Sequence, residues 1–162
     1  MASISSQPNR NAMALAALRI AVGVFFVIFG QYKVFGTQFT LGGGFRTWIT
    51  QFIDGGAYPF MVPVLRRVVL PLATPLAFLV AYGELAIGLG LVFGILVRPA
   101  SLAGLLLMSS ILFSSAYPGP HAAFWQYFGA SLSQSVFAIC FAALLIGRSD
   151  EIWSLTAWRK RN

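Results

Sequence analysis

One cysteine, one histidine and four carboxylates are all that this 162-residue chain offers of the usual ligand and catalytic side chains. With Cys140 alone there is no intrachain disulfide, no CxxC pair and no thiolate cluster for zinc or iron–sulfur. With His121 alone a bis-histidine haem is excluded within the chain, and no metal site is expected. Charge is scarce as well: 9% of residues carry it, against about 25% in an ordinary soluble domain. Eleven cations and four carboxylates could not cover the exterior of a soluble fold this size. The cations give a net charge of +7 without forming a basic stripe; the nearest cluster is Arg159, Lys160 and Arg161 at the very end. No nucleic-acid-binding module accompanies them, so nucleic acid is not an expected partner. Membrane lipid is: scattered cations set topology and meet anionic head groups.

What the chain has is apolar length. Hydrophobic residues make up 58% of it, in runs near the ~20 residues needed to cross a bilayer. The expected fold is all-α, a four-helix transmembrane bundle forming one domain over 1–162, with helices at 12–35, 75–97, 99–116 and 123–146. The first run is too long for a signal-peptide core and lacks a small-residue cleavage site, so it reads as retained. Thr74 is placed to cap the second helix with Pro75 at its first position. Arg98-Pro99 breaks the chain before the third, and Tyr117-Pro118-Gly119-Pro120 makes a turn before the fourth. A basic tail covers 147–162. An even number of spans puts both termini on one side, with Arg10, Arg98, Arg148, Arg159, Lys160 and Arg161 facing Lys33, Arg46, Arg66 and Arg67 across the membrane. That imbalance favours cytoplasmic termini.

The connection 37–71 departs from a plain bundle. Phe45, Trp48, Ile49, Phe52 and Ile53 recur at the spacing of one helical face, with Arg46, Thr47, Thr50, Gln51 and Asp54 opposite. Too short to span, this stretch reads as an amphipathic helix lying in the membrane interface. A second short helix is expected over residues 60–70, with Arg66 and Arg67 in the head-group layer. Two readings stand beside each other: simple interfacial anchoring, and a platform on which another subunit docks.

Ionisable groups inside the spans are the informative residues, because a charge at the bilayer centre costs at least ~2.5–3.5 kcal/mol on insertion scales. Arg19, Gly23, Phe26, Gly30 and Lys33 share one stripe of the first helix, a face suited to other helices rather than lipid. Glu84, midway along the second, must be paired or protonated. Side chains lean toward the N-terminus of their own helix, so Glu84 and Lys33 lean toward each other across a level difference of roughly 10 Å. Lys33 is therefore the expected partner, and Arg19 a snorkelling residue. On the fourth helix Tyr127, Ser131 and Gln134 form a polar stripe. Either it supplies helix–helix hydrogen bonds of ~0.6 kcal/mol each, or it lines a polar pocket with Glu84, open to a quinone head or a proton. Gly83, Gly90 and Gly94 offer a flat packing surface that includes a GxxxG at Gly90 and Gly94.

Arg19, then Gly30 and Lys33 in FGQYKVFG, then GELAIGLGLVFGILVRPASLAG from Gly83 to Gly104, resemble the DoxX family of small bacterial and archaeal membrane proteins. The tail GRSDEIW is similar to that family's ending, and the likeness covers residues 15–150. Phe29 and the long 37–71 segment depart from the family's pattern. The resemblance implies a four-helix membrane bundle, with Arg19, Lys33 and Glu84 at the family's polar positions. It also implies an association with redox chemistry, since relatives include the membrane subunit of thiosulfate:quinone oxidoreductase. On that footing the expectation is an accessory or anchor subunit of a larger redox or energy-converting complex in the bacterial cytoplasmic membrane. Such a subunit has no redox centre or intrinsic cofactor of its own, and a quinone or a bound lipid is its candidate ligand. Two alternatives remain: a quinone-interacting subunit of a thiosulfate:quinone oxidoreductase-type enzyme, and a small-solute or lipid-handling membrane protein.

Overall fold

The computed structural model describes residues 10–129, 132–147 and 149–159. Every regular element among them is helical: α1 (Arg10–Phe35), α2 (Thr37–Thr40), α3 (Gly44–Gln51), α4 (Val62–Val64), α5 (Ala73–Phe93), α6 (Val97–Ser115), α7 (Gln126–Gly129), α8 (Leu132–Ile146) and α9 (Leu155–Arg159). Single π-helical turns extend α3 over Phe52–Gly56 and α4 over Leu65–Val69. Three helices, α1, α5 and α6, are long and apolar enough to cross a membrane, and α8 is a shorter apolar helix of 15 residues.

Helix α1 packs on α5 along its length, and α6 packs on α8. The core runs between the pairs, through Val22, Phe26, Ile87, Leu91, Val97, Met108, Phe141 and Leu144. Phe141 is its keystone. Its ring meets Phe26 edge-on at 4.9 Å and lies against Gly104, where a Cβ would collide with it. A second, smaller core of Ile49, Ala57 and Leu65 holds the α3–α4 connection together.

Gly23, Gly30 and Gly88 set the spacing of α1 and α5. A Cβ on Gly30 would come within 2.5 Å of the Leu85 backbone nitrogen, and one on Gly88 within 2.5 Å of the Val27 nitrogen. Gly83 has open space where its Cβ would be and takes no part. The expected flat surface of Gly83, Gly90 and Gly94 is therefore not what joins α5 to α1. Gly94 stands at φ 68°; its N–H bonds Leu91 O at 3.2 Å while the Ile95 N–H bonds Gly90 O at 2.9 Å. This pair of bonds is a Schellman motif, so Gly90 and Gly94 close a helix end rather than form a helix-docking motif.

Several boundaries move for similar reasons. The second helix ends at Phe93, not residue 97, because of that glycine cap, and it begins at Ala73 after Leu72. Thr74 is thus inside the helix and makes no cap. Pro99 falls in the first turn of α6, where a missing N–H is tolerated, rather than opening it. The fourth helix is expected from 123; the described residues there are helical over Gln126–Gly129 and Leu132–Ile146, so its start moves to Gln126. Over residues 60–70 the helix is one turn of α4 followed by a π-helical turn, with Arg66 and Arg67 exposed.

The two ends of the bundle differ. Leu15 touches Gly147, which sets the start of α1 beside the end of α8. At the other end the α3–α4 connection is tied to the end of α6: the Tyr58 N–H bonds Phe113 O at 2.9 Å and the Tyr117 N–H bonds Gly56 O at 3.0 Å.

Candidate functional site

Helix α5 buries Ala77, Ala81, Glu84, Gly88 and Leu91 on the face it turns to α1. That places a carboxylate against a helix whose last turn carries Lys33. Lys33 Nζ donates to Glu84 Oε1 at 2.6 Å and Oε2 at 2.7 Å. The lysine side chain is 17% exposed and the glutamate 4%. Two long side chains leaning toward each other close the offset between their helical levels. On its other side the ammonium lies 5.1 Å from the centroid of the Phe39 ring, a second favourable contact for a cation withheld from water.

Lys33 lines two cavities, and Glu84 lines the second of them. One, of about 140 Å³, is apolar and lies between α3, α5 and α6; Phe39, Phe45, Trp48, Ile49 and Phe52 line it together with Lys33. The other, of about 220 Å³, lies beside α8 and is lined by Phe29, Trp48, Glu84, Ser133, Gln134 and Phe137 among others. Lys33, Trp48 and Ile111 are common to both. Drug-sized ligands occupy pockets of ~300–1,000 Å³, so each of these spaces is scaled to a ring or a short tail. Ser110 and Ser114, at the edge of the first cavity, turn their hydroxyls back onto the carbonyls of Leu106 and Ser110.

The residues expected in the polar centre are dispersed by the fold. Gln134 lines the cavity with Glu84 and accepts from Ser133 Oγ at 2.6 Å. Tyr127 belongs to α7, outside that cavity: its hydroxyl donates to Gly119 O at 2.8 Å, and its ring joins Tyr58 and Tyr117. Of the expected stripe, Gln134 thus reaches the cavity beside Glu84 and Tyr127 does not. Ser131 lies outside the described residues. Partial burial pushes the Tyr58 phenol above its ordinary range, with Tyr127 and Tyr117 acting in the same direction.

Arg19 is corrected too. It is fully buried rather than reaching for water. Its Nη2 donates to Trp153 O at 2.5 Å and to Ile152 O at 3.4 Å, and Asp150 acts on it electrostatically. The segment 149–159 folds over this end of the bundle. Thr156 Oγ1 donates to Gly94 O at 2.7 Å, and Trp153 adopts φ 50° to make the bend. A long cation buried under a chain end cannot be anticipated from helical periodicity, which reports only on its own helix.

On the amphipathic helix, Ile49 is buried, Phe45, Phe52 and Ile53 pack around it, and Trp48 stands half exposed at the mouth of both cavities. Sequence reasoning gave these residues one face. It did not show that part of the face closes a cavity over α5 and α6 instead of meeting lipid.

Residues 14–116 match the model of the DoxX family. No curated protein and no solved structure matches the chain.

Proposed function

Because the chain belongs to the DoxX family and is a small multi-pass membrane protein, we propose that it is an accessory subunit of a larger redox complex that lodges a quinone-type head group beside Lys33 and Glu84. The observation that carries this reading is the ion pair's position beside two largely apolar cavities, Lys33 lining both and Glu84 one of them. An ammonium can donate to a carbonyl oxygen. A carboxylate bonded to it can exchange a proton with the reduced form. Electrons come from the partner complex, since this chain is assigned no redox centre. In this reading α8, preceded by α7, makes a fourth crossing; the termini face the cytoplasm of a bacterial cell, and the α3–α4 connection lies in the opposite interface as a docking shelf.

Trp48 provides the test. In a full-length variant with Trp125, Trp153 and Trp158 changed to Phe, a short-chain quinone should quench Trp48 fluorescence saturably. The double variant Lys33→Met/Glu84→Leu, which strands neither charge, should abolish that binding while the protein stays folded. Absence of saturable quenching would remove the head-group site. Mild detergent extraction tests the subunit role separately: redox proteins should travel with the chain, and its arrival alone would overturn that half of the proposal.

A further inference from the structure

Away from the Lys33–Glu84 pair, toward the end where Arg19 lies, the surface carries a groove of about 560 Å³ between the α5–α6 turn and α9. Arg98, Arg159, Asp150 and Thr156 are its polar lining, and Leu96 and Leu155 are among its apolar residues. Both arginines are exposed. Two guanidiniums and one carboxylate leave this lining with one net positive charge, and Asp150 is also drawn toward Arg19. The first turn of α6, which Arg98 joins, has no side-chain cap, so its N–H groups add to the positive end.

A second groove, of about 480 Å³, runs from there along the outside of α5 and α6. Gly83, Ala86, Gly90, Ala100 and Ala103 make it shallow-walled and apolar. Ile95, Leu96 and Pro99 belong to both grooves, so the basic recess and the apolar channel are continuous. Leu96 is held at φ 52° at this junction and is 71% exposed.

A neighbouring helix would fill the apolar channel and leave the arginines unanswered. A free phosphate would answer the arginines and leave the channel empty. A molecule with an anionic head and a long acyl chain satisfies both. We propose that the continuous groove binds one anionic phospholipid, its phosphodiester between Arg98 and Arg159 and an acyl chain along Gly90, Ala86 and Gly83. The site is independent of the quinone-type pocket, with which it shares no lining residue.

Native mass spectrometry of the delipidated full-length protein, titrated in turn with phosphatidylglycerol, phosphatidylcholine and inorganic phosphate, tests it. Wild type should retain phosphatidylglycerol about tenfold or more over phosphatidylcholine, the order expected for two arginines meeting an anionic head. The double variant Arg98→Gln/Arg159→Gln should lose that preference while keeping its unfolding temperature, because both residues are exposed. Ala86→Phe should reduce retention of long-chain lipid by a similar factor and leave the weaker binding of a short-chain phosphatidylglycerol unchanged. The proposal is overturned by undiminished preference in the double variant, or by inorganic phosphate stabilising the protein as much as the lipid does. A dimer that phosphatidylglycerol cannot dissociate, with the groove sealed inside it, would overturn it as well.

Discussion

Removing one member of a buried ion pair strands the other charge, whereas removing both leaves two groups that can pack. Lys33 and Glu84 meet these conditions at 2.6 Å and with little exposure. Lys33→Met should therefore lower stability by about 3–5 kcal/mol, and Lys33→Met/Glu84→Leu should recover most of the loss. Unfolding of the purified protein in detergent measures both, and strictly additive losses would sink the idea of a coupled pair. The pairing was legible in the sequence, since helical rise and side-chain lean nearly close the gap. Arg19 was not, because its carbonyl partners at Ile152 and Trp153 lie in a segment whose bend has no periodic signal. At Phe141 the reasoning is purely steric. The ring is fully buried between Phe26 and Gly104, and Phe141→Ala should cost about 3–5 kcal/mol.

Between elements, glycine position separates contact from convenience. Gly30→Ala or Gly88→Ala drives a methyl group into the backbone of the facing helix and should destabilise by about 1–3 kcal/mol. Gly83→Ala meets nothing, and by improving helix propensity it should be neutral or stabilising by up to about 1 kcal/mol. Comparing the three unfolding temperatures decides the matter; a loss at Gly83 equal to that at Gly88 would contradict the α1–α5 interface described. The α1 side of this interface followed from Gly23 and Gly30 sharing a stripe with the charges. On α5 the signal was available and differently placed: Gly88 stands one turn beyond Glu84, on the same buried face. Gly83 and Gly90 fall off that face, and Gly94 follows the last helical residue. A glycine-rich run alone does not distinguish a helix contact from a helix terminator.

At the scale of the whole molecule, long apolar runs and proline breaks were enough to place α1, α5 and α6 to within a few residues. In a Cys140→Ala background, Arg66→Cys and Arg159→Cys should label from opposite faces of sealed vesicles; labelling from one face would overturn the proposed orientation. The chain end is the part that periodicity could not supply. Arg19→Leu should release the closing segment, making the peptide bonds around Trp153 cleavable by added protease at least several-fold faster.

The contact between Arg19 and Trp153 joins positions 134 residues apart. Chains are made from the N-terminus onward, so the first hydrophobic segment enters the bilayer carrying a cation whose carbonyl acceptors have not yet been synthesised. Until Ile152 and Trp153 have been added and can fold back, that arginine must borrow water or a lipid phosphate, and their arrival is what lets the first helix settle.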